Sequence, residues 1–288
     1  MFVAVASGKG GTGKTTVATS LALAVAGKRK VQFLDCDVEE PNGHLFMKPT
    51  WVRKKPVTVL VPQVDLAKCT FCGRCAEICA YHALVVLPGD VLTFPGLCHS
   101  CGGCWHFCPE GAITPVPQEI GWLEEGLAGE VNFVHGRLKV GVAISPPLIQ
   151  AVKDCRSPEA AVIADVPPGT SCPVIKAVEG ADFCLLVTEP TPFGLHDLKL
   201  AAGMIRELNI PGGVVINRSN GKDEDVERFC RREGLPLLLK LPLEREIAVG
   251  YARGLPLLAI RPQWEKGFLA LWATCEKMSR CEGTYRKN

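Results

Sequence analysis

The clearest chemistry in the chain sits near its start, in Ser7-Gly-Lys-Gly-Gly-Thr-Gly-Lys-Thr-Thr16. Gly8, Gly13, Lys14 and Thr15 fit the pattern G-x-x-x-x-G-K-[ST], in which a glycine-rich turn aims backbone N–H groups at a polyphosphate. In that pattern Lys14 meets the β- and γ-phosphates and the Thr15 hydroxyl holds Mg²⁺. Sulfur is the second concentration of chemistry. The chain has 15 cysteines, and eight of them fall between Cys69 and Cys108. They run Cys69-x-x-Cys72-x-x-Cys75-x-x-x-Cys79, then Cys98-x-x-Cys101-x-x-Cys104-x-x-x-Cys108. In a reducing compartment, cysteines clustered this tightly read as metal ligands and not as disulfides.

Elements of the right kind flank the phosphate loop. Residues 2–6 are an apolar run of strand length, and residues 15–26 an Ala/Leu-rich helical stretch. The loop therefore opens a helix, whose N-terminal dipole favours an anion. A second strand, residues 31–34, ends in Asp35-Cys-Asp37. Acidic residues at the C-terminal end of a parallel strand lie where open α/β sheets bind ligands. A third apolar strand, residues 161–164, ends in Asp165-Val-Pro-Pro-Gly169, the arrangement in which a carboxylate acts on Mg²⁺ through water. Further βα units follow, with strands over 183–187 and 213–216 and helices over 194–208 and 223–233. The fold class expected is a doubly wound, mostly parallel α/β sheet.

The cysteine spacing resembles the bacterial two-cluster ferredoxin run. That resemblance implies two [4Fe–4S] clusters with crossed ligation, one held by Cys69, Cys72, Cys75 and Cys108 and the other by Cys98, Cys101, Cys104 and Cys79. Zinc, which takes four ligands in paired C-x-x-C units, is the rival. Ala80 stands where the pattern has proline, which predicts a looser turn there than at Pro109. The expected organisation is an ATPase part over 1–55, a small α+β ferredoxin-like insert over 56–118, and a second ATPase part over 119–288. Residues 48–62, with three prolines and four basic residues, read as a linker. Residues 116–136 show no pattern, a strand is expected over 137–145, and a helix over 147–153.

Lys9 is a second lysine in the loop. Together with Gly10 and Gly11 it makes K-G-G-x-G-K-T, which resembles the deviant phosphate loop of the MinD/Mrp/ParA ATPases and the nitrogenase iron protein. The likeness extends over essentially the whole chain, and it implies ATP/ADP and Mg²⁺ as ligands. Gly8, Gly10, Gly11, Thr12, Gly13, Lys14, Thr15 and Thr16 then cradle the phosphates. Lys9 reaches the nucleotide of a partner subunit, in a homodimer or a heterodimer with a paralogue. Asp37 orients the attacking water, Asp35 and Asp165 support Mg²⁺ with Thr15, and Gly169 senses the γ-phosphate. Asn217, Arg218 and Pro242 match the base-recognition positions. Unlike the Mrp-type cluster carriers, the chain has no C-terminal C-x-x-C, since Cys275 and Cys281 are six apart. Cys172 and the other isolated cysteines are expected to be buried small residues, and His44, His82, His99 and His106 to have core or surface roles.

Net charge is +2 with Lys and Arg scattered, which gives no electrostatic argument for nucleic acid. No apolar run reaches transmembrane length, and no cleavable leader pattern opens the chain, so a cytoplasmic protein is expected. Trp264, Phe268, Leu271, Trp272 and Cys275 share one helical face, expected to pack on the sheet instead of a membrane. Three readings stay open. The first is an ATPase that gates electron delivery from the clusters to a redox or metal-cofactor partner. The second is an assembly or carrier factor, and the third a MinD-like positioning ATPase with structural clusters.

Overall fold

The computed structural model describes residues 1–282. In chain order the elements are β1 (Phe2–Ala6), α1 (Lys14–Ala26), β2 (Val31–Asp35), α2 (Gly43–Met47), β3 (Thr50–Val64), α3 (Arg74–Ile78), β4 (Leu84–Leu87) and β5 (Asp90–Thr93). They continue with α4 (Gly103–His106), β6 (Ile113–Ala128), β7 (Val131–Leu138), α5 (Pro146–Asp154), β8 (Ala161–Asp165), α6 (Cys172–Val178), β9 (Phe183–Thr188) and α7 (Pro192–Glu207). Last come β10 (Gly212–Ser219), α8 (Glu224–Glu233), β11 (Leu237–Pro242), α9 (Arg245–Ala252), α10 (Leu257–Ile260) and α11 (Glu265–Glu282).

One nine-stranded sheet runs β11-β10-β9-β1-β8-β2-β7-β6-β3. From β11 to β7 every pairing is parallel, and β6 and β3 add two antiparallel strands at one edge. The central strands are apolar on both faces because helices cover both sides. Val3, Val5, Phe33 and Ile163 pack with Val17 and Leu21 of α1 and Phe268 and Leu271 of α11. Ala4, Leu34, Val162 and Ala164 face the opposite layer, built from α5, α6, α7 and α8. The apolar face of α11 is thus consumed by the core, with Phe268 and Cys275 fully buried, as expected. No described helix is long and apolar enough to cross a membrane.

The expected linker over 48–62 is instead most of β3. Its prolines, Pro56 and Pro62, are tolerated because β3 is the edge strand, where one side of the backbone needs no partner. The patternless stretch 116–136 is strand too, most of β6 and the start of β7. The strand expected over 137–145 lies earlier, at Val131–Leu138, because Lys139 to Ser145 leave the sheet in a turn before α5. β3 and β6 pair along their whole length, from Thr50↔Leu127 to Val64↔Ile113. This ribbon carries all eight clustered cysteines at its far end, with the β4–β5 hairpin, α3 and α4. The expected divisions at 55/56 and 118/119 fall within its two strands.

Candidate functional site

The first site lies at the C-terminal ends of β1, β2 and β8. The loop from Ser7 to Gly13 turns through Gly11 and Gly13, at φ of 78° and 89°, a region open to glycine at little cost. Space is equally tight: a Cβ on Gly8 would come within 2.2 Å of the Asp197 carbonyl oxygen, and one on Gly13 within 2.1 Å of Asn217 Nδ2. Lys14 is buried at the start of α1, and Lys9 is half-exposed. The loop is pinned on both flanks. Gly169 N–H donates to the Ser7 carbonyl at 3.0 Å, and Asn217 Nδ2 to the Thr12 carbonyl at 2.8 Å.

The Thr15 hydroxyl donates to Asp165 Oδ2 at 2.6 Å, and Asp35, Asp165's register partner on β2, and Asp37 follow at the same end of the sheet. Asp35 is fully buried and accepts from Gly43 N–H at 2.8 Å and Asp37 N–H at 3.2 Å. Burial and the charge of Asp165 push the Asp35 carboxyl well above the usual carboxylate range. Burial likewise raises Asp165 to about 7 and Asp37 to about 6, with Lys14 pulling both back. Asp165 Oδ1 is buried with no hydrogen-bond partner. Buried carboxylates short of positive charge, an orphaned carboxylate oxygen and a threonine hydroxyl suit a hard divalent cation. Among the described residues no three His, Cys, Asp or Glu side chains come close enough to hold one ion by themselves. A cation here would complete its shell with water and phosphate oxygens.

Beside the loop, Thr16, Asn217, Arg218, Pro242, Leu243, Glu244, Ile247, Ala248 and Tyr251 line one cleft. Every base-recognition residue expected from the sequence is in its wall. Arg218 holds a left-handed backbone (φ 55°) and pairs with Glu189. Arg261 donates to Glu244 at 2.8 Å and pairs with Glu246, which fixes the start of α9 over the cleft. Tyr251 and the Arg261 clamp were missed at the sequence level. Ile247, Ala248 and Tyr251 share the spacing of one helical turn, a signal that could have found Tyr251.

The second site is the cysteine arm. Cys69, Cys72, Cys75 and Cys108 surround one cavity, lined otherwise by Val64, Phe71, Val86, Pro109 and Ile113. Cys79, Cys98, Cys101 and Cys104 form the other group: burial raises the Cys98 thiol, and the neighbouring Cys101 and Cys79 add to it. Cys104 is pushed up to about 11 by burial and by Cys98. The crossed pairing expected from the spacing is therefore the one the fold brings together.

The two halves repeat bond by bond. Phe71 N–H points at Cys69 Sγ and Ser100 N–H at Cys98 Sγ, both at 3.4 Å. Ala83 N–H points at Cys79 Sγ and Ala112 N–H at Cys108 Sγ, both at 3.3 Å. Left-handed residues also match: Phe71 with Ser100, Gly73 with Gly102, and His82 with Gly111. The turn at Ala80 therefore closes as tightly as the one at Pro109, against expectation, because the amide-to-sulfur bond sets it and not the proline ring. Cys69, Cys79, Cys98 and Cys108 each have an amide N–H aimed at sulfur, which suits thiolates held by a polynuclear positive centre. The Cys69 quartet rings a cavity, and among the described residues no three cysteines meet at a point, which a single zinc ion would require.

Cys172 is exposed at the start of α6, contrary to the expected burial, because its side of that short helix faces solvent. Cys36, Cys184, Cys230 and Cys275 are buried as expected, Cys155 is only half-buried, and the side chain of Cys281 lies outside the described residues.

A family model described as the CobQ/CobB/MinD/ParA nucleotide binding domain matches residues 3–257. An uncharacterized protein of Methanocaldococcus jannaschii is 33% identical over 222 residues, 76% of this chain and 78% of its own. An iron-sulfur cluster carrier protein of Aquifex aeolicus is 27% identical over 297 residues, 94% of this chain and 65% of its own. The septum site-determining protein MinD of Pyrococcus horikoshii, solved with Mg-ADP, superposes with a TM-score of 0.59 at 19% identity, covering 100% of this chain and 99% of that one. At that identity the superposition speaks for the fold.

Proposed function

The chain belongs to the CobQ/CobB/MinD/ParA nucleotide-binding family, and on that premise we propose that it hydrolyses Mg·ATP to control two [4Fe–4S] clusters held in the cysteine arm. The observation that carries the reading is the pair of matched four-cysteine rims tied by one continuous ribbon to the sheet that holds the phosphate loop.

In this reading the N–H groups of Gly10, Gly11, Thr12 and Gly13 and the Lys14 ammonium take the phosphates. Thr15, Asp35 and Asp165 surround Mg²⁺. Asp37, whose carboxyl is raised to about 6, is ionised at neutral pH and orients a water toward the γ-phosphate. Lys9 of a second protomer, identical or paralogous, adds positive charge to the transferring group. Asn217 Oδ1 is left free for the base, because its Nδ2 is engaged by Thr12. Cys69, Cys72, Cys75 and Cys108 hold one cluster, and Cys79, Cys98, Cys101 and Cys104 the other. When bound, such clusters supply one-electron transfer. Complete four-thiolate ligation by these cysteines would keep a cluster in place, so what would leave on turnover is an electron supplied beforehand by an external one-electron donor and passed to a redox or metal-cofactor partner.

A second reading, delivery of a cluster to an acceptor, is favoured by the carrier protein among the relatives. Iron counting separates the two. Anaerobically purified chain carries about eight irons in two clusters. Its dithionite-reduced EPR signal shifts with Mg·ATP, and the iron stays through turnover if electrons are the product. Iron lost in step with phosphate release supports delivery. Zinc in place of iron sinks both.

A further inference from the structure

We propose that His44, Trp51 and His135 form the link by which the nucleotide site moves the cysteine arm, an inference that rests on the coupling reading above. The chain of contacts starts at Asp35. Its Oδ2 holds the Gly43 N–H that opens α2, and no side chain fits at Gly43, where a Cβ would sit 2.7 Å from Phe33 Cε1 and 3.0 Å from Asp35 Oδ2. α2 is thereby locked to the carboxylate that sees the cation. His44, the next residue, lays its ring edge-on against His135, 5.4 Å between centroids. His135, on β7, stacks in turn on Trp51 of β3, 4.7 Å between centroids.

From there the contacts enter the ribbon itself. His135 Nε2 bonds Glu124 Oε2 at 2.7 Å, and Glu124 Oε1 pairs with Lys54 at 2.9 Å across β3 and β6. The ribbon ends at Val64 and Ile113, both in the wall of the Cys69 cavity. Ser100, beside Cys98, clamps the ribbon at Leu60 through both its backbone groups, at 2.6 and 3.1 Å. The ribbon thus grips both quartets. Burial holds both imidazoles below their usual range, toward the neutral form, and each has a buried Nδ1 with no hydrogen-bond partner. The contact is therefore one of packing, and it slides as α2 shifts without an ion pair being broken. The backbone after Asp37 reinforces it, because Leu138 N–H donates to the Val38 carbonyl and Ser145 Oγ to Glu39, at 2.8 and 2.9 Å. His44, Trp51 and His135 are positioning residues; none is in the wall of the base cleft or the phosphate loop.

The test uses the full iron-loaded chain, anaerobically, with and without Mg·AMPPNP. Two quantities are followed: the rate at which bathophenanthroline strips iron, and deuterium uptake of the amides over 58–64 and 112–118. In the unmodified chain the nucleotide changes the stripping rate by on the order of fivefold, the size of an ordinary coupling. Trp51→Ala and His135→Gln bring that ratio to within about 1.5-fold while nucleotide affinity stays within about twofold. Trp51→Phe, which keeps a stacking ring, restores it, and Val52→Ala, a neighbour 72% exposed, leaves it unchanged. Full nucleotide response in Trp51→Ala and His135→Gln overturns the link, as does an equal loss in Val52→Ala. A ratio of one in the unmodified chain overturns the coupling reading and the link with it.

Discussion

Gly13→Ala tests how the phosphate loop and the base cleft depend on one another. Gly13 sits at φ 89°, where a side chain costs about 1–2 kcal/mol in an L-residue. The new Cβ would also lie 2.1 Å from Asn217 Nδ2, so the amide must leave. Leaving breaks its 2.8 Å bond to the Thr12 carbonyl, worth about 0.5–1.5 kcal/mol and more if that buried oxygen finds no substitute. The total is about 2–4 kcal/mol, or a fall in Tm of roughly 3–7 °C at this chain length. Asn217→Ala alone costs only the bond. The two changes should therefore not add. In the Asn217→Ala background Gly13→Ala should cost only its backbone strain, a coupling of about 1 kcal/mol or more. Thermal unfolding and Mg·ADP titration of the four proteins in the cycle measure it. Additive effects within about 0.3 kcal/mol would refute the argument that the loop glycine is there for Asn217.

Other expectations follow from the same geometry. Asp165 is raised from 3.8 to about 7, so as pH climbs through that window the unfolded chain sheds a proton that the folded chain keeps. Stability of the nucleotide-free protein therefore falls from about pH 4 to pH 7 at this residue, and Mg·ADP offsets the loss. The Tm gain from Mg·ADP should be larger at pH 7.5 than at pH 5; equal gains would argue against a cation beside Asp165. Phe268→Ala, which removes a fully buried ring of α11, should cost about 3–5 kcal/mol in denaturant unfolding, and a change under 1 kcal/mol would mean α11 does not dock on α1. Ser100→Ala removes both bonds to Leu60 and should speed air-driven iron loss from the Cys98 quartet alone, read by EPR. Cys72→Ser should lower the iron count by about four per chain and Cys69→Ser by the same four, since both ring one cavity.

The parallel half of the sheet was legible because its strands are apolar runs bounded by glycine and acidic residues at regular intervals. The crossed grouping of the cysteines came from the likeness to the ferredoxin run and not from local geometry, and the Cys69, Cys72, Cys75 and Cys108 cavity is consistent with it. The ribbon was not legible. Arg53, Lys54, Lys55, Pro56 and Pro62 read as linker because an edge strand needs neither apolar residues on its open side nor every N–H. Glu119, Glu124 and Glu125 made β6 look like loop, yet Lys139, Lys54 and Arg53 pair with them across the sheet. Such pairings join residues far apart in sequence and leave no local period. The Arg261 clamp escaped for the same reason: its partners are fixed by the fold. Cys172 was expected inside because cysteine is usually buried, but α6 has only seven residues and turns this one outward.

The ribbon also sets an order on the birth of the protein. β3 leaves the ribosome long before its only sheet partner, β6, and the cysteine arm is made between them. Until β6 arrives, β3 has nothing to pair with. Until β6 docks, β7 presents a full row of unpaired amides and carbonyls. Closing the arm draws the two ribbon ends together, so whatever fills the quartets hastens the sealing of that edge. A cell short of that filling would accumulate chains that bind nucleotide at one side of the sheet while their other side stays sticky. Supply of the metal would then be read first as solubility, and only afterwards as activity.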